Sequence, residues 1–477
     1  FFFKQMTAYE IPLRLVGSEM CIRDRGLKEK WAPVLDHEDQ TPIADNYRKN
    51  VTAILLENTE QAIRKENALG NSTMLNEAPA NIAPTAAASG ALQYADPVMI
   101  SMIRRTMPNL MAFDILGVQP MTGPTGLIFA MRSRYNGQAG SDAEALHDEA
   151  DTAFSGESGS GGVAHAGTDP FAGSTHSGTD ALAESAAGFT TGAGGSTADG
   201  EALGQGTANQ FSADGHFNQM AFSIERSSVT AQTRALKAEY TTELSQDLKA
   251  VHGLDAESEL STILSTEINA EINREVLRGL YDNARLGCGA QTNNKGVFDL
   301  TADADGRWKV EKFKGLMMQI EKEANVIAKQ TRRGKGNLVV CSADVASALA
   351  MTGVLDYNPQ MSNNGISSDD TGSTFAGVLN GRFKVYIDPY FDAAGAHDFC
   401  MVGYKGTSAY DAGRFYCPYV PMQMVRAVGE NTFQPKIGFK TRYGMVNNPF
   451  AGGPRDVSNS HTTGNLYYRM FKITNLN

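Results

Sequence analysis

A mixed α+β fold is predicted for this chain by three observations. One is a long amphipathic helical pattern broken once near its middle. Another is a pair of alternating segments on either side of a Gly-rich stretch. The third is a run of short apolar strands interleaved with helices in the second half. The helical pattern spans Thr230 to Tyr281. Its apolar side chains fall at Leu236, Tyr240, Leu244, Leu248 and Val251, then at Leu260, Ile263, Leu264, Ile268, Ile272, Val276, Leu277 and Leu280. Spacings of three and four put these on one helical face. Gly253 breaks the pattern, and Asp255 is placed to cap a second part whose first turn holds Glu257 and Glu259. Such a helix is expected to dock on something large.

Leu127 to Tyr135 alternates, with Leu127, Phe129, Met131 and Ser133 on one side and Ile128, Ala130, Arg132 and Arg134 on the other. Met220 to Val229 alternates likewise, with Met220, Phe222 and Ile224 on one face. The two read as the legs of a long hairpin. Between them, Ser141 to Gln219 is dominated by Gly, Ser, Thr and Ala. That composition buries little apolar surface and reads as a loop-rich insertion near the hairpin tip.

Further along, Ala284 to Asp305 reads as a loop. Lys312 to Gln330 reads as a helix, with Phe313, Leu316, Met317, Ile320, Ala324 and Ile327 on one face. Asn337 to Cys341 is a short buried strand leading into a helix at Val345 to Met351. Lys384–Ile387, Phe399–Val402, Gly413–Val428 and Ile437–Val446 supply more strands.

The N-terminal part divides in three. Phe1 to Arg25 resembles the translation of a sequencing-library adapter, so the native protein is expected to resume near Gly26. Gly26 to Gly70 is charged and helical in pattern, with Ile54, Leu55 and Ile63 on a weak apolar face extended by Trp31, Leu35 and Val51. A segment of this kind packs on a partner more often than it stands alone. Asn71 to Gly90 is small, Pro-containing and nearly uncharged, and reads as a protease-accessible joint.

The 477 residues are enough for two or three domains. No run of about 18 apolar residues suggests a membrane span. The net charge of −11 disfavours tight non-specific binding to nucleic acid. Cys21, Cys288, Cys341, Cys400 and Cys417 are scattered and lack CxxC spacing, so they read as buried or free thiols in a reducing compartment. No catalytic, cofactor or metal constellation stands out. His165, His176 and His216 read as surface histidines. Glu267, Glu271 and Glu275 read as a solvated or subunit-facing acidic stripe offset by Arg274 and Arg278, rather than a metal site. Arg332-Arg333-Gly334-Lys335 reads as a solvated loop or a contact with acidic neighbours rather than a DNA contact.

Four long segments then resemble one family closely: Met102–Tyr135, Phe375–Tyr390, Met401–Met422 and Phe433–Phe450. With Thr230–Tyr281, which is similar to that family's "spine" helix, they resemble the major capsid proteins of T-even-type tailed phages. The resemblance implies the tailed-phage capsid fold. It places an N-arm and the start of a peripheral (P) domain at 78–126 and an extended E-loop at 127–230, carrying the insertion at about 141–219. The P domain with its spine helix follows at 231–331 and the axial (A) domain at 332–419. The chain returns to the P domain at 420–477.

The resemblance also implies removal of a propeptide, 26–77, by a prohead protease that cuts after Leu/Ile-x-Glu. Leu75-Asn76-Glu77 followed by Ala78 fits in the joint, so Glu77 and Ala78 are the candidate processing site. Leu27-Lys28-Glu29, Leu55-Leu56-Glu57 and Leu182-Ala183-Glu184 match the same tripeptide, and context selects Glu77. Cutting there would remove 10 of 42 basic and 12 of 53 acidic residues, leaving an acidic shell of net charge −9 around the genome.

The implied function is self-assembly, as hexameric capsomers, into a head shell enclosing double-stranded DNA without reading its sequence. The implied partners are further copies, a vertex protein, a portal, a scaffold, the protease and decoration proteins. The implied location is the virion, assembled in the host cytoplasm. The implied role is not enzymatic and needs no cofactor. The rival readings are a pentameric vertex paralogue, an enzyme using the Glu-rich helix, and an adhesive module in the insertion.

Overall fold

Gln232–Glu239 decides between two periodicities. It carries Leu236 at a helical spacing from Tyr240, yet its burial alternates residue by residue. In a computed structural model of the chain it is a strand, paired antiparallel with Pro435–Asn447 over eight residues. The long helix therefore begins only at Thr242, and the helical expectation for Thr230–Tyr240 is corrected. Main-chain hydrogen bonds to a neighbouring strand outweighed a weak local preference for helix. The described residues are 26–37, 43, 45–70, 103–104, 106–138, 144–146, 150–152, 154–155, 194, 197–201, 218–289, 295–304, 306–353, 355–357, 374–388, 390, 398–408, 410–429, 433–449, 451–452 and 463–476.

The helices are α1 (26–35), α2 (Asn46–Gly70), α3 (Ala112–Ile115), α4 (Thr197–Glu201), α5 (Thr242–Val251), α6 (Ala256–Asn283), α7 (Lys309–Thr331) and α8 (Ala343–Met351). The first strands are β1 (Gly117–Val118), β2 (Thr125–Tyr135), β3 (Met220–Thr230), β4 (Gln232–Glu239), β5 (Ala284–Leu286), β6 (Val297–Asp299) and β7 (Leu338–Cys341). They are followed by β8 (Leu355–Tyr357), β9 (Thr374–Leu379), β10 (Phe383–Ile387), β11 (Asp398–Gly403), β12 (Arg414–Val428), β13 (Pro435–Asn447) and β14 (Asn465–Thr474). The chain divides into two compact units. One contains Phe129–Glu225, and the other contains Pro12–Ile128 and Arg226–Asn477.

In the larger unit a mixed sheet runs in the order β5-β14-β11-β7-β10-β9-β8, with β6 also pairing β14. A second sheet runs β1-β12-β13-β4. The segment expected to be a loop after Ala284 thus supplies two short strands, β5 and β6, both parallel to β14. Helix α6 buries Leu264, Ile268, Ile272, Val276, Leu277 and Leu280, and α7 buries Phe313, Leu316, Ile320, Ala324 and Ile327. Both stripes join one core with the strands of the mixed sheet. Gly253 adopts φ +68°, a left-handed conformation that disfavours any side chain, and so separates α5 from α6. Asp255 is the residue before α6 and has extended backbone, while Glu257 and Glu259 sit in its first turn.

Where α7, β14 and the turn after β5 meet, the core holds a buried ion pair. Arg469 Nε lies 2.6 Å from Glu323, with both side chains under 10% exposed. Glu323 also accepts from the Cys288 main-chain N–H at 2.8 Å and from Gln319 Nε2 at 2.8 Å. Arg469 donates as well to Gln330 Oε1 and to the Leu286 carbonyl. Both carboxylate oxygens of Glu323 thus have a donor, as a charge in a dry site needs. Truncation of one partner strands the other, so Glu323→Ala should cost about 3–5 kcal/mol. Chemical denaturation of the unassembled subunit measures this, and a loss below 1 kcal/mol would contradict the description.

The thiols of Cys288, Cys341, Cys400 and Cys417 are free and buried, while Cys21 lies outside the described residues. Burial raises those of Cys288, Cys341 and Cys417 from 9.0 to about 12, and that of Cys400 well above 9.0. A raised folded-state value favours the folded chain fully below pH 9 and progressively less as pH climbs toward 12. Lys405, which burial lowers to about 8, works in the opposite direction between pH 8 and 10.5 but is a single group. The thermal midpoint should therefore fall by about 5 °C or more between pH 9 and 11. Cys400→Ala should flatten that fall, and a level profile would overturn the assignment.

Candidate assembly surfaces

Strands β2 and β3 form a two-stranded sheet, as expected for the hairpin. Their cross-strand contacts define its faces. Arg134 Nε donates to Ser223 Oγ at 2.9 Å, and Arg132 and Arg134 both approach Glu225 within 4 Å. Arg132 also lies 3.6 Å from Glu144, and residues 144–145 pair along the outer side of β2. Polar side chains thus brace one face. Strand alternation puts Phe129 together with Met220, Phe222 and Ile224 on the other. Those four are each more than half exposed. Near the far end of the hairpin, the Phe154 ring lies 4.5 Å from that of Tyr135, so at least this part of the insertion folds back on the strands.

A second uncovered surface lies in the larger unit. Helix α5 has apolar Leu244, Leu248 and Val251 at helical spacing, but buries none of its residues. Thr241 caps it by accepting from the Leu244 N–H. Val425 and Val428 at the end of β12, and Phe433 just before β13, are exposed by half or more. Amphipathic elements whose apolar side chains stay exposed are suited to contacts outside the chain.

The acidic stripe on α6 is divided. Glu271 and Glu275 both hold Arg234 of β4, at 2.9 and 2.5 Å, and Tyr443 of β13 donates to Glu275 as well. They therefore tie the spine helix to the four-stranded sheet. Glu267 is exposed. The neighbours read from sequence do not neutralise the stripe: Arg274 pairs instead with the fully buried Asp388 at 2.6 Å, and Arg278 is exposed. Sequence reading missed Arg234 because it lies 37 and 41 residues from the two carboxylates.

The basic cluster after α7 meets acidic neighbours. Lys335 and Arg382 converge on Glu321, and Arg333 lies 3.9 Å from Asp411. Arg332 ends α7 in the left-handed conformation. His165, His176 and His216 lie outside the described residues, as do Glu77 and Ala78. Among the described residues no three His, Cys, Asp or Glu side chains group as a metal site would need. No described helix is long and apolar enough to cross a membrane.

These surfaces suit a protein that meets copies of itself, and similarity to known proteins points the same way. A profile described as major capsid protein Gp23 matches residues 92–473. The chain belongs to the Gp23 major capsid protein family. The major capsid protein of Vibrio phage KVP40 is 39% identical, aligning over 89% of this chain and 93% of its own. That of Enterobacteria phage T4 is 38% identical over 89% and 92%. The capsid vertex protein of Enterobacteria phage T4 is 27% identical over only 50% of this chain and 55% of its own. Among solved structures, the capsid of Myoviridae phage XM1 aligns at 9% identity and a TM-score of 0.36, covering 76% of this chain and 91% of that one.

Because Phe129 and Phe222 make the exposed face without supporting the core of this family member, Phe129→Asp with Phe222→Asp should leave subunit stability within about 1 kcal/mol of the unaltered chain. The same pair should reduce the yield of closed particles at least tenfold, read by sedimentation. Normal particle yield would remove the hairpin face from the assembly surface.

Proposed function

We infer that this chain is a major capsid subunit whose copies associate into the protein shell of a tailed-phage head. Membership of the family over residues 92–473 carries the reading. The uncovered apolar faces of the hairpin and of α5 supply its physical basis. Each contact is modest, but a subunit fixed at several surfaces leaves the lattice only if all of them open together. Repetition of the same contacts under rotational symmetry closes capsomers and then a shell. Interfaces of this permanent kind commonly bury about 2,000–5,000 Å².

Within this reading β2 and β3 belong to the E-loop, α6 is the spine of the P domain, and 332–419 contains the A domain. Hexameric capsomers, a vertex protein, a portal, a scaffold and a prohead protease are the proposed partners. The host cytoplasm is the proposed site of assembly. The shell encloses double-stranded DNA, with an acidic surface that limits adhesion to it.

The propeptide is 26–77, and the cut falls between Glu77 and Ala78. Two of the competing matches to the tripeptide are poor substrates. Leu55 and Leu56 are both buried within α2, and Leu27 to Glu29 lie inside α1. A protease needs exposed chain.

Co-expression of residues 26–477 with the cognate scaffold and protease, followed by cryo-electron microscopy and intact-mass analysis, tests the reading. Closed shells with this chain in their hexamers and an N-terminus at Ala78 are expected. A different N-terminus would discard Glu77 alone, density only at five-fold vertices would select the vertex role, and a soluble monomer absent from particles would overturn the function.

A further inference from the structure

The N-terminal helices are built into the body of the subunit. Trp31, Leu35, Val51, Leu55 and Leu56 are at most 3% exposed and share a core with Met107, Leu110, Phe113, Leu116 and Val118. Polar groups lock the same surface. Tyr47 donates its hydroxyl to the Val118 carbonyl. Arg48 donates to the Pro108 carbonyl at 2.6 Å and pairs with Asp114 at 2.6 Å.

Asn58 is buried, and its amide spans two carbonyls of the body, Met121 at 2.8 Å and Tyr419 at 3.0 Å. The second of these has a structural reason to need a donor. Pairing of β12 with β13 shifts register between Pro418 and Val420, which skips Tyr419. A main-chain carbonyl left out of a ladder requires another partner, and Asn58 supplies one.

We propose that residues 26–70 form a clamp docked on their own subunit, and that cutting the chain beyond Gly70 does not by itself release them. The clamp leaves in a second, slower step that uncovers a surface made of Met107–Met121 and the middle of β12. The timing of that step rests on the processing reading above, but the docking does not. A cut changes only the effective concentration of the segment, from tethered to free; the buried contacts still hold it.

Its departure also rearranges charge. Arg48 is the ion-pair partner of Asp114 and sits near Lys405, whose ammonium donates to the Phe113 carbonyl. Burial lowers the Lys405 ammonium to about 8, with Asp114 favouring its protonated form and Arg48 opposing it. Departure of the segment takes Arg48 and Asp45 away together and leaves Asp114 and Lys384, which act on Lys405 in opposite directions.

The test replaces residues 79–84 of the full chain with the recognition sequence of a site-specific protease, so it is independent of the cognate enzyme and of Glu77. After cutting, the fragment and the body are followed by native mass spectrometry and size-exclusion chromatography. The clamp predicts that they stay together and separate slowly, and that Arg48→Ala with Asn58→Ala speeds separation by about tenfold to a hundredfold. Hydrogen exchange at Met107–Met121 and at Tyr416–Val420 should rise with separation rather than with cutting. This holds in the unaltered sequence, should the double variant fail to fold. A fragment that leaves within the dead time of the cut, or exchange that rises at the moment of cutting, would overturn the clamp. Absence of cutting at Glu77 by the cognate protease would discard the processing site and leave the clamp intact.

Discussion

Glu323 and Arg469 meet in the dry interior between α7 and β14, and most of the larger unit depends on that meeting. Strand β14 is the penultimate strand of the mixed sheet, between β5 and β11, yet it is contributed by the last residues described. In that place Arg469 meets the buried carboxylate of Glu323. An unpaired charge there would cost several kcal/mol, a large share of any domain's net stability. The pair therefore penalises any register of the strand that would leave one of the two charges unpartnered. Strands β5 and β6 then pair alongside β14, and the C-terminal end of α6 is held against the sheet through Tyr281 and Asp388. These contacts join residues far apart in sequence, so folding of this unit is expected to be slow.

A stable subunit is only half of what a shell needs. The same chain must leave apolar surface uncovered where its neighbours will sit, without exposing so much that it aggregates first. The hairpin resolves this conflict through alternation. Arginines and glutamates brace one face internally, and Phe129, Met220, Phe222 and Ile224 wait on the other. Helix α5 shows the same division at helical spacing. At the N-terminus the opposite solution is used: a body surface that would otherwise be open is occupied by α1 and α2 of the same chain. On the proposed reading, assembly contacts are of two kinds, those always available and one that becomes available only when that segment departs.

Much of this was legible from the residues, and the failures are instructive. The stripe from Phe313 to Ile327 identified α7 because its period is long and clean. Alternation at Leu127–Tyr135 and Met220–Val229 identified the hairpin legs for the same reason. Gln232–Glu239 was misread because a short segment with Leu236 four residues from Tyr240 satisfies a helical spacing by chance, and only its partner strand, some 200 residues later, decides the matter. Strand β14 is legible in Leu466-Tyr467-Tyr468-Arg469-Met470-Phe471, a run rich in strand-favouring residues. The Arg234 bridge, the Asp388 pair and the Asn58 lock carry no local signal, since each joins positions separated by tens to hundreds of residues. Family wording supplied the function, whereas the structure supplied the surfaces through which the function would act.

Hydrogen exchange compared between unassembled subunits and closed shells tests the central claim most directly. The account predicts strong new protection at Met220–Ile224 and across α5 on assembly, while β7, already buried in the subunit, stays unchanged. Equal exchange of those faces in the two states would contradict it, because surfaces that neighbours cover cannot go on exchanging as though they were free.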